Sequence, residues 1–130
     1  MNLRVAYLIG ALLLLPFAQA AEKEEGRFMA KPLKGDYYVY GGSIGDTTSP
    51  TPKDRKLSLM LTGPLAKELF DHIGPDVKDA CGAGAGAGPG PGHRERGRGD
   101  LVCLWTKEYG YSCYVGLDVR TGKSMAGVTC

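Results

Sequence analysis

LVCLWTKEYGYSCYVGLDVRTGKSMAGVTC, residues 101–130, holds three runs of β-forming residues cut by two compact turns, E-Y-G and R-T-G. Each turn carries a glycine where a tight reversal calls for positive φ. The stretch therefore predicts a C-terminal three-stranded antiparallel meander. With Cys103 set opposite Cys113, Leu101 faces Val115 and Trp105 faces Tyr111, so one face is apolar while Ser112, Tyr114, Gly116 and Asp118 take the other. The R-T-G turn then places Asp118 opposite Lys123, and Ala126, Val128 and Cys130 fall on the cysteine face.

An apolar sheet face needs a cover, and TGPLAKELFDHIGP, residues 62–75, supplies one. Leu65, Ala66, Leu69, Phe70 and Ile73 recur at helical spacing, with Lys67, Glu68, Asp71 and His72 on the opposite side. Thr62 or Gly63 can cap the helix, Pro64 suits its first turn, and Gly74-Pro75 ends it. Asp71 and His72 are neighbours, which point about 100° apart in a helix and do not converge on one ion. Upstream, residues 55–61 (RKLSLML) alternate as a half-buried strand, and residues 36–40 (DYYVY) are rich in β-formers. Between them GGSIGDTTSPTPKD has the composition of a loop. The fold expected is α+β: an antiparallel sheet of about four to five strands with one covering helix, stapled by disulfides.

The chain opens with MNLRVAYLIGALLLLPFAQA, in which Arg4 precedes an apolar run of about fourteen residues and Ala18-Gln19-Ala20 is an A-x-A cleavage signal. Residues 1–20 read as a secretory signal peptide. The run falls short of the roughly 20 residues a spanning helix needs, so no transmembrane anchor is expected after cleavage. Residues 21–35, charged and weakly periodic, read as a flexible leader, and residues 36–130 as a single small domain. Export makes the protein periplasmic or secreted.

The 16 Lys+Arg and 14 Asp+Glu nearly balance, which gives no global pull toward nucleic acid or anionic membrane. Cys81, Cys103, Cys113 and Cys130, an even number in an oxidising compartment, predict two disulfides. Intervals of 21, 9 and 16 residues contain no C-x₂-C pair, so no zinc site is expected. A Cys81–Cys103 bond would tie helix to sheet and leave Cys113 with Cys130. The alternative joins Cys103 to Cys113 and Cys81 to Cys130. The first is favoured here, because adjacent-strand bridges fit disulfide geometry poorly.

Residues 82–99, glycine alternating with alanine or proline and then HRERGRG, hold no apolar side chain larger than proline and read as a glycine-rich loop. The run lacks the lysine and the strand-to-helix context of a phosphate-binding loop. His93, Arg94, Arg96 and Arg98 at its end could grip a polyanion, although Glu95 and Asp100 dilute the charge. A solvated loop tip is the reading preferred.

Catalysis finds no constellation: the histidines are isolated, no G-x-S-x-G is present, and Asp36, Asp46, Asp54, Asp71, Asp76 and Asp79 are scattered through turns and caps. Tyrosine stands out instead. Tyr37, Tyr38, Tyr40, Tyr109, Tyr111 and Tyr114 cannot all face inward; Tyr38 and Tyr114 lie on polar registers and Tyr109 in a turn, where they are offered to a partner. The Y-x-C-x-x-G span of residues 111–116 resembles a hairpin of small periplasmic lysozyme inhibitors. The resemblance covers that hairpin alone and carries no residue role across.

The function expected is an exported, non-catalytic binding or inhibitor module of the bacterial cell envelope. Tyr38, Tyr109 and Tyr114 form its leading site, with His93, Arg94, Arg96 and Arg98 as a second. An envelope or extracellular protein is the partner expected, a polyanion such as lipopolysaccharide the runner-up. Neither nucleic acid, cofactor nor metal is expected. The alternatives are a small periplasmic hydrolase or metal-dependent enzyme, and a purely structural or stress-protective envelope protein.

Overall fold

In a computed structural model, which describes residues 29–78 and 92–129, the meander forms in the register its cysteines imply. The strands are β1 (Gly35–Ser43), β2 (Asp46–Thr48), β3 (Lys56–Thr62), β4 (His93–Arg98), β5 (Leu101–Thr106), β6 (Gly110–Asp118) and β7 (Ser124–Met125), with the helix α1 (Gly63–His72) between β3 and β4. Cys103 pairs with Cys113 and Trp105 with Tyr111 across β5 and β6. The main-chain N–H of Asp118 donates to Lys123 O, as the R-T-G turn requires.

All described pairings are antiparallel, and the order across the sheet is β2-β1-β3-β6-β5-β4, with β7 extending the β5 edge of β6. The architecture is α+β, but the sheet has seven strands rather than four or five. Both unexpected strands come from segments assigned to loops. β2 lies inside the Gly/Ser/Thr/Pro run and folds back on Gly41–Ser43. β4 occupies the end of the presumed 82–99 loop and pairs along its whole length with β5. The compact unit also begins at Lys31, inside the stretch expected to be leader.

The helix covers one face of the sheet. Ala66, Phe70 and Ile73 are buried against Cys103 and Cys113, with Leu61, Leu69, Leu101, Trp105 and Tyr111 packed around them. The Phe70 and Tyr111 rings meet edge to face at 5.2 Å. Leu65, expected in the stripe, sits at the rim instead and is exposed.

The disulfide joins Cys103 to Cys113, with Cα atoms 4.0 Å apart. The favoured pairing of Cys81 with Cys103 and Cys113 with Cys130 is thereby corrected. The reason lies in the ladder: Val119 N–H donates to Arg55 O, so odd-numbered residues of β6 aim their main chain at β3. Cys113 is then in a non-hydrogen-bonded pair with Cys103, the closely spaced kind. The bond staples a hairpin; the helix is held by packing. Cys113 Sγ lies 3.4 Å from Ala66 O, a packing contact, since a disulfide sulfur has no proton to donate. Cys81, Cys130, the signal peptide expected at 1–20 and most of the glycine-rich run lie outside the described residues.

The chain after β7 departs from the expected third strand. β7 lasts two residues, and the following segment crosses the opposite face of the sheet, not the cysteine face. Ser58, fully buried, donates its hydroxyl proton to Gly127 O at 2.6 Å. The crossing is possible because two glycines meet there. A Cβ on Gly116 would lie 2.7 Å from Ala126 O, and one on Gly127 within 2.5 Å of Val115 main chain.

Candidate functional site

Three candidate tyrosines can be placed from the ladder. Tyr38 on β1 and Tyr114 on β6 share the face opposite the helix, with Ser58 and Met60 of β3 between them. Tyr109 stands in the β5–β6 turn, 81% exposed. The turn is closed by Gly110 at φ 74°, and Thr106 Oγ1 accepts the Tyr109 N–H at 3.0 Å. Tight local bonding thus holds a large ring out in water, an arrangement that suits a preorganised contact.

A depression lies on each side of that ring. On the open face one of about 450 Å³ is lined by Met60, Leu104, Thr106, Ser112 and Tyr114. On the helix side Pro64, Lys67 and Tyr111 line another, and Thr62 and Tyr109 border both. Lys67 Nζ sits 5.5 Å above the Tyr111 ring and also meets the Asp71 carboxylate, which raises its pKa, chiefly through that hydrogen bond. The site is therefore an aromatic ridge between two apolar hollows, with one cation at its edge. Tyr38 shares the open face but lines neither hollow.

The second candidate group is not part of this surface. Arg94 and Arg96 project from β4 onto the helix-covered face, opposite Trp105 and Cys103. Their guanidinium groups lie 5.3 and 4.4 Å from the Phe70 ring centre. Arg94 donates Nε–H and Nη2–H to the two oxygens of Asp76, Arg96 donates Nε–H to the same carboxylate, and Arg96 Nη1–H reaches Phe70 O. Hydrogen bonds from Arg94, then Arg96, hold the Asp76 carboxyl below the usual carboxylate range. Val77 N–H donates to Glu95 O, fastening the chain beyond the helix to β4. These residues form a clamp on the helix end, and the reading of residues 93–98 as a solvated loop tip is corrected. Arg98 is exposed at the end of β4. His93 begins the strand half-buried on the opposite face, with Nε2 buried and without a hydrogen-bond partner.

Sequence reasoning missed Met60, Thr62, Lys67 and Asp76. Met60 was legible as the polar-register residue of a strand whose face proves open. Asp76 carried no local signal, because its partners are 18 and 20 residues away. Tyr40 is also unlike its expected group: it is 3% exposed, and its hydroxyl is buried without a hydrogen-bond partner. Burial, and then the neighbouring Tyr38, push that hydroxyl above the ordinary tyrosine range. Among the described residues no three His, Cys, Asp or Glu side chains gather into a metal-binding group. Comparison with protein-family models, curated proteins and solved structures finds no match.

Proposed function

We propose that this protein is an exported, non-catalytic binding or inhibitor module of the bacterial cell envelope, and that it engages a protein partner through the Tyr109 ridge. The observation that carries the reading is the turn that holds Tyr109 81% exposed between two apolar hollows bordered by Tyr111 and Tyr114. Rigid aromatic rings over apolar depressions are the composition of binding hot spots, where tyrosine adds contact area at small entropic cost. The Cys103–Cys113 bond agrees with the oxidising compartment that the N-terminal sequence implies.

The test is capture from envelope extract with the oxidised protein, its Tyr109→Ala/Tyr114→Ala form and its Arg98→Ser form as parallel baits. The expected result is a protein retained by the wild type and the Arg98 variant and lost by the tyrosine variant. Retention by all three, or a partner lost only with Arg98→Ser and eluted by salt, overturns the assignment of the site to the ridge. No retained protein overturns the binding role.

A further inference from the structure

Part of the outer edge of β1 has no paired strand among the described residues. Thr62 N–H donates to Lys34 O, and the antiparallel register continues without a break from Gly35 opposite Leu61 to Tyr40 opposite Lys56. Main-chain groups alternate in direction along a strand, so residues 36, 38 and 40 bond to β3 while Gly35, Tyr37 and Val39 aim N–H and C=O outward. β2 closes this edge from Gly41 onward, where Gly41 pairs with Thr48. Among the described residues no strand pairs with the five positions before Tyr40, and all five are exposed. Of the usual guards of an edge the window holds no lysine, proline or bulge, and its one charge is Asp36.

We infer that β1 pairs with β1 of a second copy of this chain, antiparallel about a two-fold axis through Tyr37, to make one continuous sheet. The window from Gly35 to Val39 is centred on Tyr37, so self-pairing sets Gly35 opposite the copy's Val39 and Tyr37 opposite the copy's Tyr37. Those are the residues whose main-chain groups point outward, and each outward N–H and C=O then finds a partner. Asp36, the one charge in the window, falls opposite the copy's Tyr38; pairing centred on residue 36 would oppose two carboxylates. Gly35 carries no side chain and leaves room for the copy's Val39 and the Tyr37 ring. On the helix side the rows Tyr37–Leu59 and Val39–Leu57 run past the helix, which packs on β3, β5 and β6, and they become continuous across the axis. Such an interface is isologous, as two-fold dimers require. Its short window makes it weak, and Tyr37 itself is 70% exposed in the single chain.

Sedimentation of the oxidised protein tests the pairing. At about 100 μM, well above a micromolar Kd, the wild type is expected to sediment with dimer mass and to return to monomer on dilution. Val39→Pro removes only an outward N–H, which an edge strand tolerates, and Tyr37→Lys installs a guard charge. Both are expected to stay monomeric with an unchanged melting temperature. Tyr37→Cys should cross-link to its own copy with a short bis-maleimide, and Tyr109→Cys should not. A wild type that stays monomeric throughout, a dimer that survives Tyr37→Lys, or equal cross-linking at the two positions overturns the inference. The mass readout is independent of ligand capture, so the ridge and the edge can fail separately.

Discussion

On the helix side of the sheet, Phe70 lies between the disulfide-bonded hairpin and the guanidinium planes of Arg94 and Arg96, and Asp76 holds both arginines in place. On the other side the cover, among the described residues, is a short stretch of main chain, residues 126–128, lying on Gly116 and hydrogen-bonded to Ser58. One face is closed by large side chains and shared charge, the other by the absence of side chains. The difference explains where surface is left over. The helix uses up Arg94 and Arg96, whereas the narrow tail leaves Tyr38, Met60 and Tyr114 half in water beside the Tyr109 turn.

Substitutions on the two faces should therefore separate. Phe70→Ala removes the common centre of the helix face and is expected to cost about 3–5 kcal/mol, read by thermal or denaturant unfolding. A loss under about 1 kcal/mol would mean that the clamp, not the ring, holds the helix. Gly116→Val drives a side chain into Ala126 O and should cost about 1–3 kcal/mol. Limited proteolysis should then cut the released C-terminal segment while the helix stays protected.

Asp76→Asn leaves two arginines without their carboxylate and should cost about 1.5–3 kcal/mol near neutral pH, a range typical of hydrogen bonds to charged groups. Its pH dependence is a sharper check. Hydrogen bonds from Arg94 and Arg96 lower the Asp76 pKa in the folded state, so its contribution is present above the unfolded value of about 3.9 and is lost as pH falls through the folded pKa. The Asn variant should show a smaller acid-induced loss of stability than the wild type. Equal acid sensitivity would show that other carboxylates govern it.

The smallest effect belongs to the open face. Tyr40→Phe deletes a buried hydroxyl that has no hydrogen-bond partner and is expected to be neutral or to stabilise by up to about 1 kcal/mol. A loss larger than that would reveal a bridging water. Tyr109→Ala, far into solvent, should change stability by less than about 0.5 kcal/mol. An effect confined to partner capture would separate ridge from core.

The sequence was a good guide wherever a local period or turn residue carried the information. The alternation of Leu57, Leu59 and Leu61, the helical stripe through Ala66 and Phe70, and the glycine of the E-Y-G turn each state their geometry within a few residues. They led to the α+β class, the helix and the β5–β6 register, and with them to the exposure of Tyr109. β4 was illegible for a physical reason: HRERGR has no apolar alternation, and what faces the core there is the stems and planes of two arginines laid on an aromatic ring.

Three features were decided only when segments met. The pairing of Cys103 with Cys113 depends on the hydrogen-bonding parity of the β5–β6 ladder, which the side-chain alternation of the sequence does not state and which the bonds of β6 to β3 mirror. The conversion of Arg94 and Arg96 from a charged tip into a clamp depends on Asp76 arriving from beyond the helix. The path of the tail depends on Gly116 and Gly127 coinciding, which turns two residues with no side chain into the contact that selects one face of the sheet over the other. Local propensity and periodicity act over a turn or a pleat and are written in neighbouring residues, whereas parity, charge pairing and close approach are properties of two chains side by side, and only the folded structure sets them there.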